Sequence, residues 1–541
     1  MKQWLINYKY LVCLLSFFLI SIILYGNLIN NKFSIIDDHQ IASFMGSDES
    51  FEISEIKKNL NYKEITGKTD RFRPTFHIAY LFEISLFDAN TSYYYILRII
   101  IFALFLFSTF YLINQFNNLL ISSLLLFLII LQGFWFDILS RIILSEIHSI
   151  AGLIIFIPSS IIIYKYLFKL EYSLNDLSIY IISFLYLASG IYVAGSKENF
   201  IFIAIIPLIY LYKQINQKEF KFILFMSNIF LLLFCTLVLF FILKYYLSTD
   251  KIISGAVSFD TIKTIENFFK TYVFSVYFLF YLLVNIIIKK LYNDKNNSHK
   301  VKKIFKNISF LNIILVIIVI TQLVYYSLNR FPTDTRYDFP IYYCILLFTA
   351  FIIPSYNNII GIYNPSKYKL LIKQLPTIIL LIAITFNNPI INIRNNIQDT
   401  NNRVKSNQEF HLFLDNIKNI SAANKKNIII INSFNVWDYE LISSFFKYLK
   451  FYGVKNKIIL NLNYSEDDYS TPVEKLFVRR LESIKNGDKT NIEWAYQNYD
   501  IEWGFDVISN HNFIKDCVSI NLRSKNKLIN CSSNLEYIFK R

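Results

Sequence analysis

Ile35-Ile36-Asp37-Asp38-His39 leaves one apolar run, and Thr69-Asp70-Arg71-Phe72-Arg73-Pro74-Thr75-Phe76-His77 leads towards the next. Between them lies a polar loop, residues 31–93, bounded by apolar segments at 10–28 and 95–113. Runs of that length match the roughly 20 residues a helix needs to cross a bilayer. The loop is therefore an excursion from a membrane. The chain of 541 residues is 54% hydrophobic and only 17% charged, more apolar than one soluble core requires. Its net charge of +15 suggests nucleic acid in a soluble protein, but the lysines lie mostly in short loops between apolar runs, where they set orientation. Nucleic acid is not an expected partner.

Further apolar segments fall near residues 118–135, 148–167, 177–194, 198–212, 222–243, 271–288, 308–328, 341–360 and 371–388, giving about eleven spans in an all-α polytopic membrane protein. The first span follows Lys2 and Lys9 and lacks a small-x-small cleavage site, so it reads as an uncleaved anchor with a cytoplasmic N-terminus. Alternate loops then carry Lys165 and Lys169; Lys213, Lys218 and Lys221; Lys289, Lys290, Lys295, Lys300, Lys302, Lys303 and Lys306; and Lys367, Lys369 and Lys373. The positive-inside rule puts these loops in the cytoplasm. The mixed-charge loops, 31–93, 136–147 with Asp137, Arg141 and Glu146, the 195–198 turn, 244–270 and 329–340, then share the outer side.

The chain divides into a membrane domain, 1–388, and a C-terminal soluble α/β domain, 389–541, expected outside. Residues 427–432 read as a buried strand, 438–450 as an amphipathic helix, 457–462 as a second strand and 474–484 as a further helix. Residues 517–531 read as a hairpin turning at Arg523-Ser524-Lys525, which would bring Cys517 and Cys531 close enough to pair in an exported domain. Cys13, Cys235 and Cys344 lie in apolar segments. No Cys or His spacing suits a metal, and no cofactor motif is present.

The spans are nearly free of ionisable groups, Arg98 being the main exception. Ion-coupled transporters bind their ions near the bilayer midplane, so this distribution favours chemistry at the outer surface. Asp37 and Asp38 are read as a general base for an acceptor hydroxyl, or as caps of a loop helix. Arg71 and Arg73, two apart in an extended approach to Pro74, read as a phosphate clamp or as headgroup contacts of an interfacial helix at 74–90. His77 reads as a packed loop residue or a base. Glu146 and His148 open the fourth span, and Lys197 and Glu198 form a turn, either pairing with each other or serving as ligands. Arg336 and Tyr337, just before a late span, suit a second phosphate contact.

In this order and on one face, Asp37-Asp38, Arg71-Phe72-Arg73-Pro74, Lys197-Glu198 and Arg336-Tyr337 resemble the polytopic glycosyltransferases of the GT-C fold. The resemblance covers roughly residues 1–390. It implies transfer of a sugar from a polyprenyl-phosphate donor in the bacterial cytoplasmic membrane to a surface glycan, such as the O-antigen of lipopolysaccharide, or to a glycolipid. One of Asp37 and Asp38 would be the catalytic residue, with Arg71, Arg73 and Arg336 on the carrier phosphate. The chain has no Asp-x-Asp in its second outside loop and no Trp-Trp-Asp, so neither a metal nor an asparagine acceptor follows. The alternatives are a polymerase of lipid-linked repeats, which would place its long loop between later spans, and a flippase or transporter of lipid-linked sugars.

Overall fold

The computed structural model describes residues 2–45, 50–59, 72–167, 175–215, 221–247, 272–291, 304, 312, 315–316, 336–363, 369–423, 428–433, 438–462, 501–502, 516–522, 531 and 533–537. Among these, eight helices are long and apolar enough to cross a membrane: Tyr10–Asn30, Thr91–Asn114, Ser145–Leu167, Asp176–Ser196, Glu198–Ile215, Phe222–Phe241, Phe274–Leu291 and Arg336–Ile362. A ninth arises if Ile372–Phe386 and Pro389–Ala423, bent by 47°, form one broken span.

Three of the eleven segments expected from sequence, 118–135, 308–328 and 371–388, are not among these eight. Segment 118–135 splits into Leu119–Ile130 and Phe134–Leu139, and twelve helical residues rise only about 18 Å, against about 30 Å of hydrocarbon. Segment 308–328 lies almost wholly outside the described residues. Segment 371–388 corresponds to the helix Lys369–Phe386, and the chain bends immediately after it, with Asn388 at φ 46° and Pro389 opening the next helix.

Local signals explain the helix starts. The Asn118 side chain accepts the Ile121 N–H at 2.9 Å, and Asn175 accepts that of Ser178 at 2.8 Å, each capping an exposed donor. Pro74 sits in the first turn of the loop helix Pro74–Phe87, where its missing N–H costs nothing. Gly195 is required where this loop helix meets the end of Asp176–Ser196: a Cβ there would fall 2.7 Å from Thr75 Oγ1.

The tail carries a five-stranded parallel sheet in the order β3-β2-β1-β4-β5: β1 Ile428–Ser433, β2 Ile458–Leu462, β3 Ile501–Glu502, β4 Cys517–Leu522 and β5 Ser533–Tyr537. The Ile-rich β1 lies between β2 and β4, as suits a strand covered on both faces. Cys517 and Cys531 are bridged, with Cα atoms 5.1 Å apart. The expected hairpin is corrected, however: β4 and β5 run parallel, Val518 opposite Ser533, and this register alone brings the two cysteines together. The helix expected at 474–484 lies outside the described residues.

A 35-residue helix, Pro389–Ala423, went unread in the sequence because the face it buries is largely polar: Asn396, Thr400, Val404, Asn407, Phe410, His411, Leu414, Ile417 and Ser421. It docks lengthwise on the exit from the first span. Asn27 Nδ2 donates to Asn401 at 2.7 Å, Asn407 Nδ2 to Asn31 at 3.0 Å, and Gln408 Nε2 to the Asn30 carbonyl at 3.0 Å. His411 Nε2 lies 3.0 Å from the Phe33 carbonyl.

Helix Tyr439–Phe451 packs on the loop helix His39–Met45 in the same way, with Ser444 Oγ 2.9 Å from His39 Nδ1 and Tyr448 donating to the Ser34 carbonyl at 2.7 Å. One hydrophobic cluster thus runs from the spans through Phe33 and Tyr94 to Phe410, Phe445 and Leu449. First loop and tail are packed as one layer over the ends of the spans.

Candidate functional site

The spans bring five separated stretches together at one end of the bundle. Asp37 and Asp38 follow the exit from the first span, and Arg73 opens the loop helix Pro74–Phe87. Asp137, Arg141 and Glu146 lie between the short helix Phe134–Leu139 and the start of Ser145–Leu167. Lys197 and Glu198 link two spans, and Arg336 and Tyr337 start the last of the eight.

Asp38 is fully buried and saturated by backbone donors. Ser34 N–H donates to its Oδ2 at 2.8 Å, and the N–H groups of Ile142 and Ile143 donate to its Oδ1 at 2.8 and 3.1 Å. Burial pushes its carboxyl up to about 7, with the three backbone donors pulling the other way. Its geometry ties the first loop to residues 142–143. Asp37 takes the opposite direction, as adjacent residues on an irregular turn do, and adopts φ 77°. That left-handed value is costly for a residue with a side chain and is held by the Asp38 clamp beside it. The Asp37 side chain is 31% exposed, and its Oδ2 accepts from Arg141 Nη1 at 2.7 Å.

From Arg141 a row of ion pairs crosses the site. Arg141 Nη2 lies 3.1 Å from Asp137 Oδ1, Arg336 Nη1 lies 3.0 Å from Asp137 Oδ2, and Arg336 Nε lies 3.5 Å from Glu146 Oε1. Lys197 Nζ lies 3.0 Å from the same Glu146 oxygen. Tyr337 stacks beneath both cations, its ring centroid 4.9 Å from the Arg336 guanidinium carbon and 5.1 Å from Lys197 Nζ, and it receives a hydrogen bond from Arg336 Nη2 at 3.2 Å.

Arg73 is buried and donates to Glu198 Oε1 at 2.7 Å. Lys197 and Glu198 consequently do not pair with each other. The extended backbone at Lys197, φ −149° and ψ 130°, sends neighbouring side chains opposite ways, one to Glu146 and the other to Arg73.

The exposure of this network is graded. Asp37, Arg141, Asp137 and Arg336 all reach solvent, Arg336 with 16% of its side chain, whereas Glu146 is 1% exposed and Lys197, Arg73 and Glu198 are buried. A ligand can touch the first four. The buried four hold their places.

A second polar cluster lies nearby. Arg98 holds Glu83 through both carboxylate oxygens, at 3.1 and 2.6 Å, and donates to the Ile142 carbonyl at 2.9 Å. Arg98 keeps the Glu83 carboxyl below its usual range against the opposing effect of burial. His148 Nδ1 is 2.9 Å from Tyr192 Oη and 3.9 Å from Glu83, and its Nε2, although buried, has no hydrogen-bond partner among the described residues. His77 is buried beside Phe76. His77 and His148 are thus buried rather than solvent-reaching, and Arg71 lies outside the described residues.

Asp137 and Arg141 are the links that sequence reasoning missed. Each was visible only as a mixed charge in a short loop, although their i,i+4 spacing on either side of a helix end is the pattern of an ion pair. Among the described residues no group of three or more His, Cys, Asp or Glu side chains is arranged to hold a metal ion. No protein-family model matches the chain, and comparison with curated proteins and with solved structures finds no match.

Proposed function

We propose that the chain is a membrane glycosyltransferase that moves a sugar from a polyprenyl-phosphate donor to a hydroxyl of a surface glycan or glycolipid. The observation that carries this reading is the half-exposed row from Asp37 to Arg336. It sets one solvent-reaching carboxylate, held in a strained turn, a few side chains away from a solvent-reaching guanidinium at the ends of membrane spans. A lipid-linked sugar phosphate needs that pairing of groups, a base for the incoming hydroxyl and a cation for the departing phosphate.

In this reading Asp37 takes the proton of the acceptor hydroxyl as its oxygen bonds to the sugar anomeric carbon. The bond from that carbon to the phosphate oxygen breaks, and the electron pair leaves with the phosphate. Arg336, backed by Tyr337, holds the departing charge. Glu146 and Lys197 keep Arg336 in place, and Asp137 and Arg141 fix its distance from Asp37. Asp38 positions Asp37 through the backbone and does not touch substrate. The Arg73–Glu198 pair fixes the start of the loop helix.

The same proposal takes the membrane as the bacterial cytoplasmic membrane, with the N-terminus inside, eleven spans in all, and residues 389–541 as an α/β domain outside. The lysine-rich alternate loops support that orientation. The test is transfer by purified protein from a series of polyprenyl-phosphate sugars to glycan extracted from the parent cells. Sugar incorporation by wild type and its absence in Asp37→Asn is the expected result. Equal incorporation by both proteins would remove Asp37 from the chemistry.

A further inference from the structure

Residues 140–144 join the short helix Phe134–Leu139 to the span Ser145–Leu167 and belong to no helix or strand. Buried backbone groups in such a stretch need partners from elsewhere. Four of them find side chains. The Ser140 carbonyl accepts from Tyr95 Oη at 3.1 Å and the Ile142 carbonyl from Arg98 Nη2 at 2.9 Å, while the Ile142 and Ile143 N–H groups donate to Asp38. Tyr95 and Arg98 stand three residues apart on Thr91–Asn114, so one face of that helix presents both donors, and the two carbonyls they hold flank Arg141. Glu83 fixes Arg98 in turn through both carboxylate oxygens. The Arg141 backbone is thus clamped on either side, while its guanidinium, at the half-exposed end of the side chain, spans Asp37 and Asp137.

Tyr95 is also tied to the tail. Asn407 Nδ2 donates to Asn31 Oδ1 at 3.0 Å, Asn31 Nδ2 donates to Tyr95 Oη at 2.7 Å, and the Tyr95 hydroxyl donates to the Ser140 carbonyl. The Lys32 carbonyl, at 3.5 Å, is the poorer acceptor for that hydroxyl. Thr91 steadies Asn31 by donating to its carbonyl at 2.7 Å. Asn407, Asn31, Tyr95 and Ser140 are all buried, so water does not compete for these bonds, and each bond in the line polarises the next.

We infer that Tyr95 is a positioning residue for the transfer and that the tail helix Pro389–Ala423 sets Arg141 through it. Asn407 fixes Asn31, Asn31 fixes the Tyr95 hydroxyl, and Tyr95 fixes the backbone beside Arg141, the residue that holds the Asp37 carboxylate. The tail is then part of the framework of the site and not a module carried beside it. The word transfer rests on the proposed function; the hold of the tail on residues 140–143 does not.

The test uses full-length protein and compares wild type with Tyr95→Phe, Asn407→Ala and Gln408→Ala. Tyr95→Phe deletes one oxygen and keeps the ring, and Gln408→Ala removes a bond from the same tail helix to the Asn30 carbonyl that does not lead to Tyr95. Hydrogen exchange at the Ile142 and Ile143 amides should quicken about 3- to 10-fold in Tyr95→Phe and in Asn407→Ala, the effect of losing one buried hydrogen bond, and stay at the wild-type rate in Gln408→Ala. If Asn407→Ala does not fold, Asn407→Leu, which also lacks the donor but keeps more of the volume, takes its place. Unchanged exchange in Tyr95→Phe would overturn the positioning role, and unchanged exchange in the Asn407 variant alone would overturn the part given to the tail. Sugar transfer supplies the second arm, as a double-mutant cycle of Tyr95→Phe with Arg141→Lys. A residue that acts through Arg141 has little further effect once Arg141 is replaced, whereas a merely structural one lowers the rate by the same factor in both backgrounds, which would also overturn the inference. Absence of transfer by wild type, with the exchange pattern as expected, would fail the proposed function and leave the link from the tail to residues 140–143 standing.

Discussion

Arg141 donates to Asp37 Oδ2 at 2.7 Å with one terminal nitrogen and lies 3.1 Å from Asp137 Oδ1 with the other, so a single guanidinium joins the first loop to the loop before Ser145–Leu167. The fork geometry of arginine makes that bridge, and a lysine ammonium, a point charge, cannot reproduce it. Under the proposed sugar transfer, Arg141→Lys should therefore lower the rate by about tenfold or more while the protein still inserts, the cost of losing one charge-assisted contact. Asp37→Asn should lower it by about 10² to 10⁴, the usual loss of a general base. A transfer assay giving Arg141→Lys full rate would mean the bridge has no part in catalysis.

Asp38→Asn tests the clamp rather than the chemistry. An amide keeps one acceptor oxygen and turns an NH2 group towards a backbone N–H, leaving that buried donor unsatisfied at a cost of about 1–3 kcal/mol. The expected outcome is faster hydrogen exchange at Ser34, Ile142 and Ile143 together with loss of transfer, whereas Asp37→Asn should leave exchange at those amides unchanged. Equal exchange in both variants would show that the two aspartates do not divide the roles in this way.

Gly195 lets the loop helix approach the end of Asp176–Ser196. In Gly195→Ala the new methyl would lie 2.7 Å from Thr75 Oγ1 and 2.9 Å from Thr75 Cγ2, two residues from Arg73. Overpacking of this kind costs about 1–3 kcal/mol. The variant should melt lower than wild type, and Thr75→Ser, which removes Cγ2 but not Oγ1, should restore only part of the loss when combined with it. A melting temperature equal to wild type would mean that the contact relaxes freely.

The interface between the loop helix His39–Met45 and Tyr439–Phe451 should respond to pH. Burial pushes the Lys447 ammonium down to about 7 and the His39 imidazole well below its usual value, the latter with a further contribution from Lys447. Between about pH 7 and the ordinary lysine value the unfolded chain binds a proton at Lys447 that the folded chain does not, so stability rises with pH across that window. Lys447→Met removes the penalty. Its Tm should exceed that of wild type most at pH 7 and below, and the gap should narrow as pH approaches 10. A gap independent of pH would show that Lys447 does not titrate within this interface.

Topology is open to direct measurement. Reporter fusions after Lys290 and after Lys455 should report opposite compartments, the cytoplasm for the first and the exterior for the second. The same compartment for both would place Asp37 and the tail on different sides from the arrangement proposed.

What the sequence determined by itself is the part that depends on local, additive physics. Runs near 20 apolar residues form helices whatever surrounds them, because an unpaired backbone cannot face lipid, and most of the spans were legible on that ground alone. The isoleucine run in β1 and the amphipathic period of Tyr439–Phe451 were legible for the same reason. The clustering of Asp37, Arg73, Lys197, Glu146 and Arg336 near span ends was legible too, but not which would meet. Only the tertiary structure decided that Lys197 pairs with Glu146 and Glu198 with Arg73, that Asp38 is a buried anchor, and that Arg141 and Asp137 complete the row. It also decided that strands β4 and β5 are parallel and that a polar-faced helix docks on the exit from the first span. The physical reason is distance along the chain. Asp37 and Arg141 are 104 residues apart, Asn31 and Asn407 are 376 apart, and such pairs exist only once the spans have packed and brought their ends together.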